Sequence, residues 1–296
     1  MAHMASGDGR AQAGETPRSG SRLGPDLRPR VAAGVTMAAA ALVVAWFGGF
    51  VFVAFWFAAS AIVLWEWQRL ASAERLIERV AVGALALVVA SSFALERLFS
   101  LREALFGCAI ALALGAAAVA WIARPGSKSW AGAGTIYAGA LVVSLGLLRA
   151  SPNYGLAAIL WLYAVVWGAD IAAYFAGRLI GGPRLWPSVS PGKTWSGALV
   201  GAFAGAALGL LLAPWTNHIA ALFWLGLAAA IVSEFGDLFE SALKRRFGVK
   251  DSGGLIPGHG GLMDRLDAFV AASVFAALVA SANTRGAFIA SGLFQW

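Results

Sequence analysis

The chain has 296 residues, 60% of them hydrophobic and only 12% charged, with a mean hydropathy of +0.75. These values exclude a soluble globular domain and predict an all-α, polytopic integral membrane protein. A formal charge of +7 carries no nucleic-acid reading here, because basic residues of a membrane protein gather in the loops of one side, and the single cysteine, Cys108, excludes a disulfide framework.

Residues 1–30 are polar and rich in Gly, Arg, Ser and Pro, and read as a disordered cytoplasmic tail. Met1-Ala-His-Met-Ala-Ser-Gly reads as an expression scar, which removes His3 from functional consideration. From Val31 to Trp65 no charge occurs; the run is too long for one span of about 20 residues and suits two short ones hinged near Gly48-Gly49. Further apolar runs follow at about 80–95, 104–122, 130–148, 155–176, 196–213, 219–239 and 266–283, giving about nine transmembrane helices. Residues 31–150 thus hold about five helices, 151–285 about four that carry the chemistry, and 286–296 a tail. The Trp and Phe excess, Trp46, Trp56, Trp65, Trp67, Trp121 and Trp130 included, reads as lipid-facing surface and interfacial belts. Glu66 reads as a partner of Arg69 or an interface anchor.

With a cytoplasmic N-terminus, 18 of the 22 Lys and Arg fall in cytoplasmic segments, leaving only Arg97, Arg102, Arg149 and Arg285 elsewhere. A bias of that size sets orientation by the positive-inside rule.

The densest polar stretch is 234–267, which holds six of the 15 carboxylates, Glu234, Asp237, Glu240, Asp251, Asp264 and Asp267, together with Lys244, Arg245, Arg246, Lys250, Arg265 and His259. A helix from Ile219 to about Arg246 places Glu234, Asp237, Ser241 and Lys244 on one face. An unpaired charge on such an apolar helix costs at least ~2.5–3.5 kcal/mol, so pairing or a bound cation is expected. Glycines, Lys and Arg suit phosphate oxygens, while carboxylates beside them repel phosphate unless a hard cation bridges the two. The local chemistry reads as metal-assisted work on a phosphorylated substrate at a membrane surface.

A second polar island carries Asp170, Tyr174, Gly177, Arg178 and Gly181, then Ser190-Pro191-Gly192-Lys193-Thr194-Trp195-Ser196-Gly197. Asp170 reads equally as a packing residue paired with Arg178 or as part of the site. Lys193, at the opening of the seventh span, is the best phosphate contact outside the main loop.

Ser241-x-x-Lys244-Arg245, Lys250-Asp251 and His259-Gly260-Gly261-x-x-Asp264-Arg265-x-Asp267 resemble the signature of the phosphatidate cytidylyltransferase family. The stretch from Ser190 to Gly197 is similar to a second family segment, with departures at Gly192 and Ser196, where the family commonly has Lys and Glu. Specific motifs cover roughly 165–270. The resemblance implies condensation of CTP with phosphatidic acid to CDP-diacylglycerol and pyrophosphate, in a bacterial cytoplasmic membrane with the site facing the cytoplasm, by a chain that forms a homodimer. It implies Asp237 and Asp264 as principal Mg2+ carboxylates, with Glu234, Glu240 and Asp267 as further ligands and room for a second cation, K+ or Mg2+. Lys193, Lys244, Arg245, Lys250 and Arg265 would neutralise phosphates; Ser190, Ser241, His259, Gly260, Gly261, Asp251 and Asp170 would line the substrates. A CTP-dependent polyprenol or phytol kinase and an ion or solute transporter are the competing readings; a transporter would predict internal repeats, and none is evident.

Overall fold

In the computed structural model, residues 27–95, 100–255, 260–284, 286 and 288–296 are described. The expected N-terminal tail, up to residue 26, and His259 lie outside them. Among the described residues the chain folds into nine α-helices: α1 (Leu27–Phe47), α2 (Gly49–Ala71), α3 (Leu76–Leu95), α4 (Leu101–Ile122), α5 (Lys128–Arg149), α6 (Gly155–Leu179), α7 (Trp195–Gly209), α8 (Ile219–Arg246) and α9 (Met263–Asn283). Eight are long and apolar enough to cross a membrane, and α1 adds the shorter apolar stretch Ala32–Phe47. The predicted spans and the helices correspond one for one.

The hinge falls where the sequence places it. Gly48 and Gly49 have φ of 63° and 54°, a region glycine enters without steric penalty. A Cβ on Gly48 would strike the Arg149 guanidinium, whose Nε donates to the Ala45 carbonyl at 2.9 Å. The seventh helix stops earlier than its apolar run: at Leu210–Trp215 the backbone tightens to a 3-10 turn containing Pro214, whose missing N–H and ring crowd the carbonyl four residues back. Elsewhere on α7, Gly197, Gly201 and Gly205 lie so close to α6 that a Cβ would come within 2.8, 2.8 and 2.6 Å of the Ala173, Ala169 and Val165 carbonyl oxygens. Small residues let two membrane helices approach this closely, and the contact fixes the start of α7 beside the end of α6.

Three assignments change. Trp56 and Trp67 are 3% and 1% exposed, not lipid-facing: Trp56 stacks on Phe269 of α9 at 5.2 Å, and Trp67 Nε1 donates to the Trp130 carbonyl at 2.7 Å. Arg79, counted as a loop charge, is fully buried and staples α3 to α2 by donating to Gln68 Oε1 at 3.1 Å and to the Gln68 and Ser72 carbonyls. Between α6 and α7 stands a feature the sequence did not suggest, an antiparallel ribbon of β1 (Arg184–Trp186) and β2 (Ser190–Thr194), with Arg184 opposite Thr194 and Trp186 opposite Ser190. The Thr194 side chain accepts from Gly197 N at 3.1 Å and so caps α7.

Candidate active site

Helix α8 carries the polar stripe predicted for it, and lysines from two directions neutralise it. Lys193, on β2, contacts Glu234 and lies 2.8 Å from Asp237 Oδ2. Burial works to lower the Lys193 pKa, and the carboxylates of Asp237 and Glu234 outweigh it, so the ammonium is held above the ordinary lysine value. Ser241 Oγ donates to Asp237 Oδ1 at 3.3 Å, one turn along.

A second cluster lies further along α8. Lys244 Nζ is 2.6 Å from Glu240 Oε2 and 2.9 Å from Asp264 Oδ1. Asp264, in the first turn of α9, also accepts from Ser252 N at 3.1 and 3.0 Å and from Gly261 N at 2.7 Å. Gly260, at φ +81°, and Gly261 wrap the backbone around these acids: a Cβ on Gly260 would meet Asp264 Oδ2 at 2.5 Å, and one on Gly261 would meet Ser252 Oγ at 2.1 Å. Behind them stands Glu66 from α2, only 4% exposed. Glu66 accepts from Leu262 N at 2.9 Å, Met263 N at 2.7 Å and Ser252 Oγ at 3.3 Å. It is neither an Arg69 partner nor an interface anchor but a carboxylate set on the amide-rich N-terminus of α9, where the helix dipole favours negative charge.

The two clusters border one cavity of about 840 Å³. Asp170, Lys193, Glu234, Asp237, Lys244, Asp251, Asp264, Arg265 and Asp267 line it, so the acids at 237 and 264 meet on the same end of the bundle. Gly260 and Gly261 do not line it: Gly260 lies against Asp264, and Gly261 against Ser252 and Glu66. Other predicted residues stand apart: Ser190 pairs with Trp186 within the ribbon, Lys250 is exposed, Ser241 reaches the site only through Asp237, and Arg245 tethers the ribbon by donating to the Val189 carbonyl at 3.5 Å. Asp170 opens onto the cavity and Arg178 turns to Tyr174 Oη at 2.5 Å, so the packing pair considered from sequence is not formed. Arg178, Arg184, Tyr174 and Thr194 also line the cavity. Arg184 Nη1 donates to the Gly192 carbonyl at 3.1 Å, setting a cation beside Gly192.

A cavity at one end of the helix bundle, lined by both acids and bases, suits a polyanionic substrate. The model of the cytidylyltransferase family matches residues 28–282. The chain belongs to this family. It is similar to the phosphatidate cytidylyltransferase of Brucella suis biovar 1, with 40% identity over 258 residues, covering 84% of this chain and 91% of that protein. Proteins of the same name from Haemophilus influenzae and Bacillus subtilis are 41% and 40% identical over 145 and 126 residues, covering 47% and 42% of this chain and 50% and 47% of those proteins.

Whether this cytidylyltransferase family member suits Mg2+ is a question about its donors. Asp170, Asp237 and Asp267, from α6, α8 and α9, present hard carboxylate oxygens to the cavity, the ligand type Mg2+ takes. Among the described residues no three acids stand close enough to form a finished metal cage. The set therefore fits an ion held by one or two carboxylates and completed by substrate phosphates, the usual Mg2+ arrangement. Lys244 engages Asp264 and Glu240, and Lys193 engages Glu234 and Asp237; of these four carboxylates Asp237 is the most exposed.

Proposed function

We propose that this chain condenses CTP with phosphatidic acid to give CDP-diacylglycerol and pyrophosphate. The observation that carries the reading is the cavity at one end of α6, α8 and α9, in which Lys193, Lys244, Arg178, Arg184 and Arg265 stand with carboxylates of a cytidylyltransferase-family chain. A phosphate oxygen of phosphatidate forms a new bond to the α-phosphorus of CTP as the bond from that phosphorus to the bridging oxygen of pyrophosphate breaks. The attacking oxygen is already ionised near neutral pH, so no base is required; the barrier is the meeting of two polyanions and the charge on departing pyrophosphate. Lys193 and Arg184 neutralise phosphates from the ribbon side, and Arg178 from the end of α6. Arg265 does so from α9, while Lys244 stays with Glu240 and Asp264. One or two of the carboxylates of Asp237, Asp267 and Asp170 would hold Mg2+. Bound there, the ion would screen the triphosphate and stabilise the leaving pyrophosphate.

Doubly labelled CTP tests the reading with purified protein and phosphatidate in mixed micelles. Label from the α-phosphate enters the lipid phase and label from the γ-phosphate leaves as pyrophosphate, and chelation by EDTA stops both. Transfer of the γ-label to an added polyprenol instead would overturn the proposal in favour of a kinase.

The proposed setting is the bacterial cytoplasmic membrane with the cavity on the cytoplasmic side, which the distribution of Lys and Arg supports. Because Cys108 is buried, a Lys250→Cys variant reports sidedness: a membrane-impermeant maleimide labels it in inverted vesicles and not in intact spheroplasts. The homodimer is part of the same proposal and is checked by light scattering of the detergent-solubilised protein.

A further inference from the structure

A second cavity, of about 460 Å³, adjoins the polar one. The two share Asp170, Arg265 and Ala268 in their linings. Past that rim the walls turn apolar: Met37 and Ala38 from α1, Phe55 and Ala59 from α2, Trp167 from α6 and Leu266 from α9. The gap has a structural origin. Of the described side chains of α1, only Ala41 and Ala45 are buried, so the helix joins the bundle by its second half and stands off it before that. Ala58 of α2, which also lines the slot, is exposed, so the slot is not sealed from surrounding lipid.

We propose that this slot holds the glycerol-proximal part of one acyl chain of the lipid phosphate substrate, with Arg265 at its mouth beside the headgroup. The inference rests on the phosphatidate reading and adds to it where the lipid sits. Continuity argues for this occupant, since a molecule with an anionic head and an apolar tail matches a polar cavity that passes through a shared rim into an apolar one. Depth argues the same way. The lining runs along α2 from Ile62 to Phe55 and along α6 from Asp170 to Tyr163, which at 1.5 Å per residue is about 10 Å. That is about a third of a hydrocarbon core of ~30 Å, so the remainder of the chain leaves past α1 into the bilayer. A chain moving between lipid and an apolar slot gains little hydrophobic free energy. The slot therefore orients the phosphate towards the cavity and reads the first carbons of the chain, not its length.

Two measurements decide it. Phosphatidate and phosphatidylcholine, each with a diazirine near the ester end of one chain, are photolysed with the wild-type protein in nanodiscs and the labelled peptides sequenced. Phosphatidate is expected to label Met37, Ala38, Phe55 or Ala59, with displacement by excess plain phosphatidate; equal labelling by phosphatidylcholine shows ordinary boundary lipid and overturns the slot. In parallel, Ala38→Trp, on the loosely packed helix, and Ala59→Phe fill the slot. Each is expected to lower kcat/KM for phosphatidate at least about tenfold while KM for CTP stays within about twofold. Wild-type kcat/KM for phosphatidate in both variants overturns the slot alone, whereas a wild-type protein that makes no CDP-diacylglycerol overturns the reaction, and the slot with it.

Discussion

Lys193 and Lys244 each bridge two carboxylates beside the same cavity, yet they sit in different surroundings. The Lys193 cluster is partly open, with side-chain exposures of 21% for the lysine, 10% for Glu234 and 32% for Asp237, and its lysine arrives on a short ribbon. The Lys244 cluster is closed, at 13% for the lysine, 1% for Glu240 and 4% for Asp264, and backbone amides of Ser252 and Gly261 complete it. An open ion pair can exchange partners when phosphates and a cation enter, because water and ligand replace what each ion loses. A closed one cannot, since parting it strands a charge in a medium of low polarity. The first cluster is thus suited to chemistry and the second to holding α8, α9 and the loop between them in register.

Substitutions that open the closed cluster should have the largest effect. Asp264→Ala removes the acceptor of two backbone N–H groups, those of Ser252 and Gly261, and leaves Lys244 with Glu240 alone. A loss of about 3–5 kcal/mol of stability is expected, as for breaking other buried pairs. Thermal melting in detergent checks it, with turnover below about 1% of wild type. Asp237→Asn, in the open cluster, should separate the two quantities: kcat falls about 10²–10³-fold, the scale for removing one oriented electrostatic group, while the melting temperature stays within a few degrees. If Asp237→Asn melts as low as Asp264→Ala, the contrast between the clusters is broken.

Glu66 extends the closed cluster to α2, and its variants grade the contribution. Glu66→Gln keeps an acceptor for only one of the Leu262 and Met263 amides, which donate to different carboxylate oxygens, and turns an NH2 towards the other, so a cost of about 1–2 kcal/mol is expected, and Glu66→Ala should cost about 2–3 kcal/mol. Because the residue positions the loop without touching substrate, kcat should fall with KM for CTP nearly unchanged, and Gln should recover part of what Ala loses. Steady-state kinetics with melting curves measures both.

How far these roles can be read without coordinates follows from their periodicity. The stripe of Glu234, Asp237, Ser241 and Lys244 is visible because polar residues three, seven and ten positions along from the first must share a face of a long apolar helix, and the nine helices follow from apolar runs of bilayer length. Glu66 carried the same signal, an acid inside the apolar run Val63-Leu64-Trp65-Glu66-Trp67, but its partners lie nearly 200 positions away in the chain and no local pattern names them. Arg79 was misread for the mirrored reason: near a helix end a basic residue looks like a loop charge until its carbonyl partners are known. The ribbon of 184–194 is too short for a period-two pattern, and its pairing of Arg184 with Thr194 depends on the close α6–α7 contact. The division of labour between the two lysines was illegible for the same cause, since exposure is a property of the assembled cavity.

The smallest effect expected concerns Ser241, which the signature made prominent. Its hydroxyl reaches the site only through Asp237, at 3.3 Å and half-buried, a long hydrogen bond in a place where water can take over the vacated lone pair. Ser241→Ala should therefore cost under about 1 kcal/mol, the range for a single exchangeable hydrogen bond, and lower kcat/KM about two- to fivefold. A drop as large as that of Asp237→Asn, read in the same CTP and phosphatidate titrations, would mean that Ser241 turns from Asp237 to a substrate phosphate during turnover. The open cluster would then extend a full turn further along α8 towards the closed one.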